Sequence, residues 1–201
     1  MKNTTTTFEI NPVVFTADYI VTHLLPVVQK PTDDDTLVKE SFLDLELIFK
    51  VILEDSEAGF TTYRLTKALA DSLNMDADYL KKCAWGCVFE DVTCQSMGEI
   101  FGFPGEMTDM YVLSNSSRNL GAGSAFICTL KLKELAKKWH VNELIIIPSS
   151  IHELIVVNTE IEDAGFLNQV IRDVNSGMVP EKEQIADHYY IYHADTDSFT
   201  W

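Results

Sequence analysis

The chain has 201 residues, of which 46% are hydrophobic and 23% are charged, so its composition is that of a globular protein and excludes an intrinsically disordered one. Its 31 acidic residues outnumber its 15 basic residues and give a formal net charge of −16. A field of that sign repels nucleic acids and anionic lipids, so the composition argues against direct binding to DNA, RNA or a membrane surface.

Neither a signal peptide nor a membrane span is predicted. Residues 1–9 are Thr-rich with a single lysine, and no apolar stretch reaches 18 residues. The four cysteines, Cys83, Cys87, Cys94 and Cys128, lie in otherwise apolar segments of a chain without an export signal, where thiols stay reduced. These features predict a cytoplasmic protein without disulfides.

The N-terminal part begins with a predicted helix and an acidic loop. Apolar residues recur at helical spacing between Val13 and Leu25, which predicts an amphipathic helix that Pro26 ends. Pro31 and three consecutive aspartates at 33–35 indicate a solvated loop. The partly alternating run from Phe42 to Leu53 then predicts a half-buried strand, with a helix as the competing interpretation.

The next segment is predicted to be mainly helical. Thr66 and Asp76 are suitable N-caps for helices over residues 67–73 and 77–88. One stripe of the second helix would hold Tyr79, Leu80, Cys83, Ala84 and Cys87. Two glycines and a proline in residues 102–105 form the clearest break in the chain and predict a boundary there.

After that break, strands and helices alternate regularly. The predicted elements are a strand at 110–115, a turn at 116–121, a returning strand from Ala122 to Cys128, a helix from Thr129 to His140, strands at 144–147 and 151–157, a helix at 163–175 that Gly177 stops, and a last strand at 189–192. Short connections between adjacent strands predict a mostly antiparallel sheet with helices on one face, so the fold class is α+β.

The predicted organisation has three parts. Residues 1–36 form the N-terminal helix and acidic loop, residues 37–105 a strand plus a helical lobe, and residues 106–201 an α+β sheet lobe.

Four segments carry a family resemblance: Met110-Tyr-Val-Leu-Ser-Asn115, Gly121-Ala122, Tyr189-Tyr190-Ile-Tyr192 and, most specifically, Pro148-Ser-Ser-Ile-His-Glu153. These segments resemble a bacterial family of unknown function that is common in gut Firmicutes. The resemblance covers roughly residues 40–201, and the sequence departs from the family where Trp85-Gly86-Cys87 replaces an expected Lys-Asn-Thr-like stretch. The resemblance supports the fold and the cytoplasmic location and implies no mechanism.

One cluster combines a nucleophile, a base and a carboxylate: Ser149, Ser150, His152 and Glu153. On a regular strand Ser150 and His152 would share a face about 6.5 Å apart, too far for the contact of about 3 Å that activates a serine. A tight turn could aim the hydroxyls and the imidazole at one point, or the hydroxyls could simply satisfy backbone donors in a hairpin turn. These four residues and Asn115 are candidate binding residues, and no catalytic residue is assigned.

The sequence predicts neither a cofactor nor a metal. The Gly121-Ala122-Gly123-Ser124 segment lacks the third glycine of a dinucleotide-binding loop and is interpreted as a hairpin turn. The cysteines lack the Cys-x2-Cys spacing of structural zinc sites. A pH-sensitive or metal-binding rim at His188 and His193 is an alternative to a plain terminal strand.

Two functional hypotheses follow. The first is an acidic binding protein without catalytic machinery, whose partner is a protein with a basic surface, with inhibition of a nucleic-acid-handling protein as its sharpest form. The second is a small hydrolase or ligand sensor that uses the Ser149, Ser150, His152 and Glu153 corner. Whether the chain is an enzyme is left open, and the balance of features favours a non-enzyme.

Overall fold

The computed structural model describes residues 15–57, 59–103, 109–158 and 164–201, and these residues form an α+β fold. The described residues contain ten strands in two antiparallel sheets, with seven α-helices and one short 3-10 helix. The predicted fold class and the antiparallel pairing are confirmed, whereas the order of elements differs from the prediction in several places.

The first sheet is built around one long central strand. Its elements, with the helix that precedes them, are α1 (Ala17–Thr22), β1 (Leu24–Gln29), β2 (Lys39–Phe42), β3 (Leu45–Ser56) and β4 (Gly59–Arg64). β3 pairs with β1 along one edge and with β2 and β4 along successive parts of the other. The strand predicted from Phe42 to Leu53 is thus confirmed, but the N-terminal part is rich in sheet rather than mainly helical.

The predicted helix ending at Pro26 is wrong in its second half. α1 begins after Thr16, whose hydroxyl accepts a hydrogen bond from the Tyr19 amide at 3.1 Å, and it ends at Thr22. Leu24–Gln29 is a strand because its side chains are buried on both faces against β3 and the covering helices. Pro26 is tolerated because β1 is an edge strand, where a missing amide donor costs little. Residues 13 and 14 lie outside the described residues.

The two capped helices are confirmed. The Thr66 hydroxyl accepts from the Leu69 amide at 3.3 Å and begins α2 (Lys67–Ser72), and an Asp76 carboxylate oxygen accepts from the Tyr79 amide at 2.7 Å and begins α3 (Ala77–Val88). After α3 the chain forms β5, a strand that the sequence did not predict.

The second sheet has six strands in the order β10-β9-β7-β8-β6-β5. Its elements and the helices that accompany them are β5 (Val92–Ser96), α4 (Met97–Phe101), β6 (Met110–Asn115), α5 (Gly121–Ile127), α6 (Leu130–Trp139), β7 (Glu143–Ser150), β8 (Glu153–Val157), α7 (Ala164–Met178), β9 (Tyr190–His193) and β10 (Ser198–Thr200), with a 3-10 turn at Glu181–Glu183. Gly102 ends α4 with a φ of 70°, a conformation that glycine adopts at little cost. Pro104 and Gly105 of the predicted break, and Asp163, lie outside the described residues.

The returning strand predicted from Ala122 to Cys128 is wrong, because Gly121–Ile127 is the helix α5. Small residues give α5 a narrow cross-section, and all of its residues from Gly121 to Phe126 are buried. A Cβ added to Gly123 would lie 2.3 Å from the Pro26 carbonyl oxygen, so glycine is what lets this helix approach β1. Tertiary packing therefore overrides a local pattern that resembles a strand.

The remaining predicted helices are confirmed with small changes. α6 begins after Thr129, whose side chain makes no capping bond and instead donates to Asp197 at 2.7 Å. α7 continues through Gly177 to Met178, so Gly177 does not stop it.

The core lies between the two sheets, with α5 at its centre. The Phe126 ring of α5 meets the rings of Phe42, Tyr190 and Phe199 at centroid distances of 5.4, 5.6 and 5.4 Å. Among the described helices, none combines the length and apolarity that a bilayer crossing requires.

Candidate functional site

The five predicted binding residues gather around the N-terminus of α5. Ser149 and Ser150 end β7 and Glu153 begins β8, so the Pro148–Glu153 corner is the turn between two paired strands. The pairing register shifts between Pro148 and Ser150, which marks a local irregularity at this turn. Asn115 is the last residue of β6 and leads into the loop that ends at α5.

The two serine hydroxyls are bound within the turn. The Ser150 hydroxyl accepts a hydrogen bond from the His152 backbone amide at 3.1 Å, and the Ser149 hydroxyl donates to Glu153 Oε1 at 3.5 Å. Within the described part of the chain neither hydroxyl is hydrogen-bonded to the His152 ring. These contacts are the ones that a structural hairpin turn makes.

The imidazole of His152 caps α5. Its Nδ1 accepts a hydrogen bond from the Leu120 amide at 3.1 Å, which requires the tautomer with hydrogen on Nε2. The His152 carbonyl oxygen also accepts from the Gly121 amide at 3.1 Å and from the Ser114 hydroxyl at 2.7 Å. His152 Nε2 lies 3.8 Å from Glu183 Oε2. One residue therefore satisfies two of the backbone amides that a helix N-terminus leaves without partners.

A third amide of this helix is satisfied by the same turn, since the Ala122 amide donates to the Ile151 carbonyl at 3.2 Å. The Gly121–Ser124 segment was expected to be a hairpin turn, and it is instead this capped helix start. The first amides of α5 already donate to protein acceptors, so these amides are not free to bind a phosphate.

Asn115 organises the loop before α5. It is buried, its Oδ1 accepts from the Asn119 amide at 3.0 Å, and its Nδ2 donates to the Asn119 carbonyl at 2.8 Å. The structure thus brings Asn115 and His152 to opposite ends of one short loop, where both have hydrogen-bond partners within the protein.

A second polar cluster joins the two sheets at Asp44. Tyr190, whose side chain is fully buried, donates its hydroxyl to Asp44 Oδ1 at 2.7 Å, and His188 Nε2 lies 2.9 Å from Asp44 Oδ2. Burial tends to raise the pKa of Asp44, but the hydrogen bonds from His188 and Tyr190 outweigh it and the pKa is lowered. Burial, followed by the Asp44 carboxylate, raises the pKa of Tyr190.

The exposed side of α3 carries aromatic residues whose exposure was not predicted from the sequence. Trp85 and Phe89 are each 44% exposed, and their rings form a tilted pair with centroids 4.9 Å apart. Tyr79 is 47% exposed, so its predicted place in the apolar stripe is wrong, whereas Leu80 and Ala84 of that stripe are buried. We call Trp85 and Phe89, which are four residues apart, the α3 face. The sequence signal that could have indicated this exposed pair is the spacing of four residues between Trp85 and Phe89, on the side of the helix opposite Leu80 and Ala84.

The negative charge lies at the surface. Among the described residues, Glu46 is the one buried carboxylate, and it accepts hydrogen bonds from Gln29 and Thr32 at 2.7 and 2.8 Å.

The described chain holds no cluster of three or more histidine, cysteine or acidic side chains arranged to bind a metal. Cys87 donates its thiol hydrogen to the Val21 carbonyl at 2.9 Å.

The chain belongs to a family of unknown function, DUF5688, whose model matches residues 27–194. This match confirms the resemblance to a family without an established activity. No curated protein and no solved structure shows significant similarity to the chain.

Proposed function

We propose that the chain is a binding protein whose α3 face and surrounding carboxylates engage a protein with a basic surface. The observation that carries this proposal is the exposed Trp85–Phe89 pair on a chain of net charge −16. Tryptophan and other aromatic residues supply much of the binding energy in protein interfaces, and a solvent-exposed pair of such rings has area to bury.

The charges around the α3 face favour a basic partner. Asp76 and Asp78 lie at the start of α3, and Glu90 and Asp91 follow its end. Lys81 pairs with Glu40, whose Oε2 lies 3.1 Å from Lys81 Nζ, and Lys82 is the second cation of α3, so these four carboxylates at its ends outnumber its two lysines. An arginine side chain of the partner would contact aromatic ring faces and carboxylates at the same place. Guanidinium groups bind both of these.

In its sharpest form, the proposal is that the acidic surface occupies the nucleic-acid site of a basic partner and inhibits it. A chain of net charge −16 competes electrostatically with a polyanion for the same surface. The hydrolase or ligand-sensor alternative stays a prediction, and the hydrogen bonds of Ser149 and Ser150 give it no specific support.

The test is a comparative affinity purification with quantitative mass spectrometry. Wild type, Trp85→Ala and Phe101→Ala are used as baits at about 0.05 M and about 0.5 M salt, since charge interactions weaken over that range. Phe101 is the matched control, because it is an exposed ring (66%) on α4. A DNA fragment is then added as a competitor to the low-salt complexes.

The expected result is a basic protein that wild type and Phe101→Ala both retain, that Trp85→Ala loses, and that high salt releases. Release by the DNA fragment would support the inhibitor form. Equal retention by wild type and Trp85→Ala would exclude the α3 face, and complexes that persist at high salt would exclude the electrostatic basis.

A further inference from the structure

A cleft of about 610 Å³ opens between α6 and the edge of the second sheet. Its floor is formed by β5 and β6, which pair with each other at that edge, and its rim by the loop after β6 and one face of α6. The cleft includes Asn115, one of the predicted binding residues, but neither the α3 face nor the Pro148–Glu153 corner.

Among the described residues that line the cleft, basic side chains outnumber acidic ones. They are Arg118, Lys131 and Lys138 against one carboxylate, Glu134. In the whole chain, by contrast, 31 acidic residues outnumber 15 basic ones. The described lining is therefore richer in basic residues than the rest of the chain.

The positions of the charged groups follow from the period of α6. Lys131, Glu134 and Lys138 are three and seven residues apart and therefore share one face of the helix, which turns toward the cleft. Lys137 belongs to the same helix but does not line the cleft.

Each cationic group is positioned by a neighbour. Lys131 Nζ lies 2.9 Å from Glu134 Oε2, and Arg118 Nη2 donates to Gln95 Oε1. Lys138 Nζ donates to the Tyr111 hydroxyl at 2.7 Å and lies 5.1 Å from the centroid of the Tyr111 ring.

The floor combines polar side chains, among them Thr93 and Gln95, with an apolar part, and its described residues include no carboxylate. Cys94 lies on β5 beside the lysines, and burial raises the pKa of its thiol to about 11, so the thiol stays protonated. Val92 and Leu135 add apolar surface on either side.

We propose that this cleft binds a small organic anion, with its carboxylate or phosphate group near Arg118, Lys131 and Lys138 and its apolar part against Val92, Cys94 and Leu135. The volume falls within the range of about 300–1,000 Å³ that is usual for small-molecule sites. Guanidinium and ammonium groups recognise such anions by charge-assisted hydrogen bonds. The site is separate from the proposed protein-binding face, so either can fail without the other.

The test uses anilinonaphthalene sulfonate, a fluorescent organic anion, and N-phenylnaphthylamine, which has the same ring systems without the charge. Both probes are titrated against the folded full-length chain and four single variants. Lys131→Gln and Lys138→Gln remove a cation from the cleft, Glu134→Gln removes its carboxylate, and Lys137→Gln makes the same charge change on α6 outside the cleft.

The expected result depends on the sign of each change. Lys131→Gln and Lys138→Gln should each weaken binding of the sulfonate about fivefold, or about 1 kcal/mol, and Glu134→Gln should strengthen it about twofold or more. Lys137→Gln should leave it within about twofold, and the neutral probe should respond to none of the four changes. Partially unfolded chains bind both dyes through exposed apolar surface, so tighter sulfonate binding by Glu134→Gln supports the proposal when binding of the neutral probe and the thermal transition of the variant match those of wild type.

Three results would overturn the proposal. One is the absence of saturable sulfonate binding at concentrations up to about 1 mM. Another is an equal effect of Lys131→Gln and Lys137→Gln, and the third is a Glu134→Gln variant whose affinity is unchanged or weaker.

Discussion

Replacing Gly123 by alanine tests how the two sheets are joined. Gly123 lies where α5 meets β1, and a Cβ at this position would be 2.3 Å from the Pro26 carbonyl oxygen and 2.8 Å from its carbonyl carbon. Ordinary contacts begin at 3.4 Å, so the helix and the strand would have to separate by about 1 Å. The atoms that would clash with the new Cβ are backbone atoms of β1, and α5 is buried. No flexible side chain can therefore move to relieve the clash.

The net effect is a balance of two terms. Alanine stabilises a helix interior by about 1 kcal/mol relative to glycine. Overpacking usually costs about 1–3 kcal/mol, and we assign about 4 kcal/mol here because two backbone segments must move. The expected net loss of unfolding free energy is about 3 kcal/mol, which lowers the Tm by about 6–12 °C in a chain of this size.

Gly86→Ala is the matched control. Gly86 is also inside a helix, but a Cβ there would meet nothing within 4 Å, so only the gain of about 1 kcal/mol remains and the Tm should rise by about 2–4 °C. Thermal and urea denaturation of both variants, followed by circular dichroism, measure the two effects. A Gly123→Ala variant as stable as wild type would show that α5 does not pack against β1 as described.

Three further results are expected. His152→Ala leaves the buried amide of Leu120 without an acceptor and should lower the free energy of unfolding in urea by about 2 kcal/mol; no change would remove His152 as the cap. Asp44→Asn should destabilise by about 1 kcal/mol at neutral pH, and because the pKa of Asp44 in the folded protein lies below its unfolded value, that difference should shrink as the pH falls below about 4; a constant difference would contradict this. Cys94, with a pKa of about 11, should hold roughly a hundredfold less thiolate than free cysteine at about pH 8, so iodoacetamide labelling followed by peptide mass spectrometry should be slow and should rise toward pH 11.

The elements that sequence reasoning predicted correctly are those whose signal is local. Thr66 and Asp76 cap α2 and α3 through bonds to amides three residues ahead, so capping residues before an apolar run were sufficient evidence. The runs rich in β-branched residues predicted β7 and β8, which pair as adjacent strands.

The elements that were missed depend on contacts distant in sequence. Pro26 predicts a helix end when only its neighbours are considered, and it is a strand residue because β3 lies opposite it. The Gly121–Ser124 segment has no strong preference of its own, and it is helical because β1, β6 and the Pro148–Glu153 corner enclose it.

The candidate site could be located from the sequence, but its role could not. Ser150 and His152 were selected because they belong to a cluster that combines a nucleophile, a base and a carboxylate, and Asn115 was a further candidate binding residue; the structure brings them to one corner. Their partners are amides of Leu120, Asn119 and the turn itself, which only the folded chain supplies. The cleft was missed because β5 was not predicted, and without β5 the lysines of α6 face no floor.

The hydrogen bonds of the Pro148–Glu153 corner account for polar residues that would otherwise suggest catalysis. α5 joins the two sheets, and a buried helix of small residues has neither long side chains nor water to satisfy its first amides. A turn that offers the His152 imidazole and two carbonyl groups meets that need, which explains why serine, histidine and glutamate occur together there. Because these hydrogen bonds serve the fold, the function that we propose lies on the surface. The surface presents two features of opposite sign, the aromatic α3 face among carboxylates and the cationic cleft beside α6. The basic partner that we propose would be attracted by the first and repelled by the second, so mutations at the two sites should have separable effects on binding.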